Sequence, residues 1–250
     1  MKSKNKKIKV LIAQPNPTNL NSPFFDLAKK HNLNISFTPF LSIEGETVKN
    51  IRLQKLHIPS YTAIILTSRN SVNHYFRICD EMRINVPNSM KYFCISEAVS
   101  YYLQKYIAYR KRKIYSANNN FDELVELCTK HDKENFLFVT SNFVKEEFIS
   151  KLDESVIKYN RCAFFKTVSK DLTKVKISSY DLLVFYSPRD IDAIFANFPD
   201  YKQNNTKIAA FGKSTNKTAV NSGLSITIEA PSKQHPSMIM AMDSYFGKLT

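Results

Sequence analysis

Short runs of nearly unbroken apolar and β-branched residues recur along this chain, and most run directly into a segment with helical spacing. "YTAIILTS" leads into "SVNHYFRICDEMR", "NFLFVTS" into "VKEEFISKLDES", and "YDLLVFYS" into "DIDAIFANF". A strand that is apolar on both faces must be covered on both faces, which is the situation in parallel sheets flanked by helices. The alternation therefore predicts an α/β fold, with helices packed on each side of parallel sheets. The same unit is read in "IKVLIAQ" with "SPFFDLAKKH", where Ser22 is the expected N-cap and Pro23 the first helical residue. It recurs in "MKYFCIS" with "AVSYYLQKYI", "KIYSA" with "FDELVELCTKH", "TKIAAFGKS" with "TNKTAVNSG", and "SITIEAP" with "PSMIMAMDSYFG". Two extended runs, "NISFTPFLSI" and "IKYNRCAFFKTVSKD", have no helix of their own and are left over by this pattern.

Composition removes many chemistries. The chain has 4 glycines (Gly45, Gly212, Gly223 and Gly247), so no GxGxxG or GxxxxGK[ST] loop can wrap a nucleotide pyrophosphate. HExxH and GxSxG are absent as well. Cys79, Cys94, Cys128 and Cys162 form no CxxC pair, and the five histidines are scattered, so buried reduced thiols are expected rather than a disulfide or zinc framework. No metal and no cofactor are expected. The basic start "MKSKNKK" precedes an apolar run too short for a signal peptide, and no run approaches the roughly 20 residues of a membrane span. It is read as a solvated tail before the first strand, and the protein as cytoplasmic and free of the membrane.

The net charge of +14 has two readings: an anionic partner, or lysine- and asparagine-rich surface composition. The dense run "YRKRK" (109–113) reads equally as an anion-contacting patch or a solvated helix end. Placing Ser68 against Ser187 aligns Val72 with Ile191 and Phe76 with Phe195, a repetition that fits two similar α/β domains.

The turns between strand and helix are where chemistry is expected, because ligands of open α/β sheets bind beyond the carboxyl ends of the strands. A helix start there presents unsatisfied N–H groups and the positive end of the dipole, and so attracts anions without glycine. "YSPRD" offers Ser187 and Arg189, "TSRN" offers Ser68 and Arg69, and "FGKST" offers Lys213, Ser214 and Thr215. Each serine or threonine has the alternative role of simple helix capping.

At these residues the sequence resembles the uroporphyrinogen-III synthase family. The marks are "IILTSRN", "FFKTVS", "VFYSPRD", "AAFGKST" and "EAPSKQHPSM", in the family's order and spacing over nearly the whole chain. The resemblance implies two parallel-sheet, three-layer α/β domains joined by a two-stranded extended linker. The first domain would be discontinuous, 1–40 plus 172–250; the inserted one would be 47–157; and 41–46 with 158–171 would form the hinge linkers, with substrate held in the cleft. It implies a cofactor-free lyase, a monomer, that cyclises hydroxymethylbilane with loss of water and inversion of ring D. A transient contact with the bilane-producing enzyme would follow, but no nucleic-acid partner.

Carried over by position, Ser68, Ser187 and Thr215 would contact the tetrapyrrole, with Thr215 the catalytic candidate. Arg69, Ser96, Arg189, Lys213 and Ser214 complete the expected substrate-binding set. Three positions depart from the family's pattern. Phe165 stands where a linker tyrosine is expected, Val99 where a threonine is expected, and Arg189 and Lys213 replace small residues. These departures motivate the alternative of a catalytically degenerate member that binds tetrapyrroles or other anions. A nucleic-acid-binding role, motivated by the charge, lacks a recognition motif.

Overall fold

Strand and helix alternate in the structure where apolar runs and helical spacing alternate in the sequence. This computed structural model describes residues 7–19 and 21–248; the basic residues 1–6, read above as a solvated tail, lie outside the described residues. The chain opens with β1 (Ile8–Ile12), α1 (Pro23–Lys30) and β2 (Leu33–Phe37). It continues through β3 (Leu41–Gly45), α2 (Val48–Leu53), β4 (Ala63–Leu66), α3 (Arg69–Glu81), β5 (Lys91–Cys94), α4 (Glu97–Tyr102) and β6 (Ile114–Ser116). Then come α5 (Phe121–Thr129), β7 (Asn135–Ser141), α6 (Glu146–Asp153) and the long β8 (Lys158–Ser169). It ends with β9 (Leu182–Phe185), α7 (Pro188–Asn197), β10 (Lys207–Phe211), α8 (Lys213–Asn221), β11 (Ile228–Ala230) and α9 (Met238–Gly247).

The chain forms two compact units. The first is built from both chain ends, up to Ser42 and from Val168 onward; the second is Ile43–Thr167. In the first unit the sheet order is β11-β10-β9-β1-β2, with parallel pairing throughout. Alternate residues of each strand point to opposite faces, and both faces are apolar. Val10, Ile12, Leu182 and Val184 pack with Leu27 of α1 and Met238, Met242 and Phe246 of α9. Leu11, Leu183, Phe185 and Ile208 pack with Ile191 and Ile194 of α7 and Ala219 of α8.

The second unit carries the order β3-β8-β7-β4-β5-β6. Its inner strands pair in parallel, Ile64 opposite Tyr92 and Leu137, for example. One face (Ile64, Leu66, Tyr92, Cys94) is covered by α2, α3 and α4 through Ile51, Val72, Tyr75 and Val99. The other (Ala63, Ile65, Phe93, Phe136) is covered by α5 and α6 through Phe121, Leu124 and Leu152. The three-layer expectation is met in each unit by strands that are buried on both sides. All four cysteines are buried and free.

Several local readings change. The extended run that crosses Pro39 is two strands in different sheets, β2 ending at Phe37 and β3 beginning at Leu41, and Pro39 between them has no N–H with which to continue a ladder. Ser22 sits at the N-cap of α1, but its side chain makes no capping bond. The helix read at 98–107 stops at Tyr102 and gives way to a 3-10 turn at Leu103–Lys105. "YRKRK" is no α-helix end; Lys111–Lys113 form a 3-10 turn entering β6. The short α2, capped by Thr47 Oγ1 accepting from the Asn50 N–H, has too few apolar positions to announce itself by periodicity.

Candidate functional site

Strand order decides where each unit can hold a ligand. In the second unit the chain winds from β4 outward to β5 and β6, then returns to place β7 on the other side of β4. In the first, β1 is followed outward by β2, and the later β9 lies on its other flank. The loops diverge at β4/β7 and β1/β9, which makes their carboxyl ends the crevices of the two sheets. Ser68 follows β4 and Ser187 follows β9, so the two residues aligned by the internal repetition both cap the helix next to a crevice. Their counterparts Val72 and Ile191 are both fully buried.

In the second unit α3 and α4 open side by side from the paired strands β4 and β5. The α3 opening is closed by its own hydroxyls. The Ser71 N–H donates to Ser68 Oγ at 3.0 Å, and the Ser68 N–H donates to Ser71 Oγ at 3.0 Å. Ser96 is buried, and its Oγ accepts from the Val99 N–H at 3.4 Å. Arg69 is exposed and lies over the Tyr102 ring, 5.4 Å from its centre, which ties the α3 opening to the last residue of α4.

In the first unit the neighbouring openings are those of α7 and α8. Ser187 Oγ accepts from the Asp190 N–H at 3.3 Å, while Asp190 Oδ2 accepts from the N–H groups of Ser187 (2.8 Å) and Tyr186 (3.0 Å). Asp190 is 4% exposed; burial pushes its carboxyl up, opposed by these N–H donors. A protein carboxylate therefore already occupies the positive end of α7. Arg189 is half-buried beside it, and that burial lowers its guanidinium pKa.

The α8 opening is built differently. Gly212 is the N-cap at φ +93°, a conformation glycine adopts without the Cβ penalty, and no side chain caps the helix. Lys213 and Ser214 are exposed in its first turn, whereas Thr215 is 1% exposed, with its hydroxyl turned beneath the Gly212 bend. Of the four openings at α3, α4, α7 and α8, this one leaves its first-turn N–H groups without a side-chain acceptor.

Sequence reading missed the residues that flank these turns. Tyr186, just past β9, and Phe211, the last residue of β10, have ring centres 5.7 Å apart, and burial pushes the Tyr186 phenol up to about 12. Asn216 lies one residue beyond Thr215, and its buried Oδ1 takes no hydrogen bond from a described residue. On the β7 side of the second crevice, Asn142, Phe143 and Lys145 are exposed, Phe143 at 61%. No spacing marks these residues; only the strand order brings them to a crevice.

The family model described as uroporphyrinogen-III synthase HemD matches residues 23–240. The chain belongs to the uroporphyrinogen-III synthase family. Its fold is also that of solved members at low identity. Uroporphyrinogen-III synthetase from Helicobacter pylori is 14% identical with a TM-score of 0.61, the match covering 96% of this chain and 99% of that one. A mutant uroporphyrinogen III synthase from the extremely thermophilic bacterium Thermus thermophilus is 12% identical with a TM-score of 0.53, over 96% and 98% of the two chains. No curated protein sequence matches the chain. Among the described residues no helix is long and apolar enough to cross a membrane.

Two of the positions that depart from the family's pattern, Phe165 and Val99, are packed into the second unit's core, while Arg189 and Lys213 lie at the α7 and α8 openings of the first. Phe165 is 7% exposed and its ring stacks on His74, with centres 5.1 Å apart. Burial, then the nearby Arg77, lowers the His74 pKa, and His74 Nδ1 accepts from Arg77 Nε at 3.2 Å. Val99 is 6% exposed within the same core.

Proposed function

We propose that this enzyme is a cofactor-free, cyclising lyase that converts hydroxymethylbilane into uroporphyrinogen III. The match of residues 23–240 to the family model is the observation that carries this reading. The bilane loses its terminal hydroxyl as water, and ring D is inverted through a spiro intermediate before the macrocycle closes. Spontaneous closure proceeds without inversion, so the enzyme's work is chiefly to hold the reacting ends in the inverting geometry. Donors aimed at the departing hydroxyl and the carboxylates add electrostatic stabilisation.

The α8 opening is the part of the first unit best suited to this substrate. Its N–H groups have no side-chain cap, Lys213 adds a positive charge, and Ser214 presents an exposed hydroxyl. We assign direct carboxylate contact to Lys213 and Ser214, and to Thr215 a positioning role beneath them because its side chain is buried. Ser187, Ser68 and Ser96 cap their helices, so they would meet substrate only through lone pairs or protons left over from capping. Arg189 and Arg69 supply charge at the rims of those turns.

The test couples the purified protein to a bilane-producing enzyme and resolves the product isomers by chromatography. Type III product above the spontaneous type I background is expected; type I alone would overturn the reading. Saturable uroporphyrin binding together with type I product alone would replace it by a binding module, consistent with the buried, hydroxyl-free side chains of Phe165 and Val99.

A further inference from the structure

The second unit has a concavity that its helix openings do not explain. At the amino ends of β5 and β6, away from Ser68 and Ser96 at the carboxyl ends, lies a hollow of about 630 Å³. Small-molecule sites occupy roughly 300–1,000 Å³. The shortness of α4 accounts for it. The chain must return from the carboxyl end of β5 to the amino end of β6, but α4 ends at Tyr102 and one 3-10 turn follows. Residues 106–110 carry the chain without regular structure to the 3-10 turn at Lys111–Lys113, which leaves the surface beside the second half of α3 uncovered.

The lining has a definite chemistry. Met90 and Tyr92, each 3% exposed, contribute apolar surface at the start of β5. Phe76 and Tyr106 stack at 4.6 Å and 5°, and Tyr106 donates its hydroxyl to Asn73 Oδ1 at 2.7 Å, which fixes that wall in place.

The charged lining residues are Arg77, Arg110, Lys113 and Asp80. Arg77 is committed to Glu81, the Glu46 carbonyl and His74. Lys113 donates to the Asn88 carbonyl, which neutralises none of its charge. Arg110 is exposed and forms no ion pair with a described residue. With Arg77 paired to Glu81, two cations face one acid, Asp80.

We propose that this hollow binds a small amphipathic anion, its planar aromatic body against the Phe76–Tyr106 wall and its carboxylate, sulfonate or phosphate on Arg110 and Lys113. The Phe76 and Tyr106 rings cover one face of each other and Lys105 lies over the Tyr106 ring, so a flat ring gains dispersion and edge-to-face energy against the exposed edges of this wall. The anionic group forms charge-assisted hydrogen bonds with donors that have no carboxylate of their own. The site is separate from the residues assigned to the cyclisation and does not depend on that assignment.

The probe is 8-anilinonaphthalene-1-sulfonate, an aromatic sulfonate, titrated by fluorescence, with neutral N-phenyl-1-naphthylamine as comparator. Saturable binding at one site per chain is expected, with the neutral dye weaker by about tenfold or more, as loss of one charge-assisted contact implies. Ala108→Trp, which places an indole in the hollow from an exposed position, should abolish the site. Arg110→Glu should weaken sulfonate binding by about tenfold and leave the neutral dye unchanged. Ser214→Ala should change neither. Because this dye also reports loosened packing, each variant's near-ultraviolet circular dichroism is compared with the parent's. The exposed Arg110→Glu keeps the test decisive should Ala108→Trp fold poorly. Absence of saturable binding, equal affinity for both dyes, or full binding in a well-folded Ala108→Trp or Arg110→Glu protein would overturn the proposal.

Discussion

Ser214 and Thr215 are chain neighbours with opposite surroundings, one exposed at the mouth of α8 and the other 1% exposed beneath it. Sequence pattern alone ranks Thr215 first, because a hydroxyl at that place in "FGKST" matches the family motif. Exposure, which depends on how α8 packs against its sheet, favours Ser214 for direct contact. Ser214→Ala should therefore lower kcat/KM for type III product by about tenfold, the size of one hydrogen bond to a charged group, with no change in melting temperature. Thr215→Val, which removes a buried hydroxyl, should show a loss of stability as well as activity. Coupled isomer assays and thermal melts on both variants check this ordering; a Ser214→Ala protein with parental kinetics would contradict it. Asp190 illustrates the same limit of local reading. "SPRD" reads as an anion-attracting turn, yet the carboxylate that takes its N–H groups is the chain's own, three positions on.

Helices were legible as elements wherever helical spacing repeats over two turns or more, as in α3 and α7, and not legible in the six-residue α2, which is too short to show a period. The tie between α1 and α9 could not be read from sequence at all. His31 Nε2 meets Asp243 Oδ1 at 2.7 Å, and Lys30 donates to Asp243 Oδ2 at 2.8 Å. Hydrogen bonding to Lys30, then to His31, holds the Asp243 carboxyl below its ordinary range. A carboxyl whose pKa is depressed by folding is protonated first in the unfolded chain as pH falls. Its stabilisation is thus fully present above the unfolded pKa of about 3.9 and is lost as pH drops through the lower folded value. Asp243→Asn should melt about 1–3 °C below the parent at pH 6, as expected for a solvent-screened pair in a chain of this size. The gap should close as pH falls below about 4. Melting curves across that range test the sign; a gap that widens toward low pH would show that the tie acts otherwise.

For the whole molecule, the net charge of +14 and the anionic substrate predict an association step that salt weakens. Raising ionic strength from about 0.05 to 0.3 M should lower kcat/KM by roughly threefold or more while kcat stays nearly constant, since screening acts on encounter rather than on the held substrate. A salt-independent kcat/KM would assign the charge to composition alone. Layering, strand burial and most helix starts follow from the sequence by itself, because periodicity and capping residues report on neighbours within a few positions. Strand order, the crevices it creates, the cap that α8 lacks and the hollow left by a short α4 were decided only by tertiary structure. These features join residues far apart in the chain, as when the Lys9 N–H donates to Asp181 across 172 positions. No local pattern carries that pairing; it exists because β1 lies inside the sheet, where its backbone N–H and C=O groups need β9 as a ladder partner.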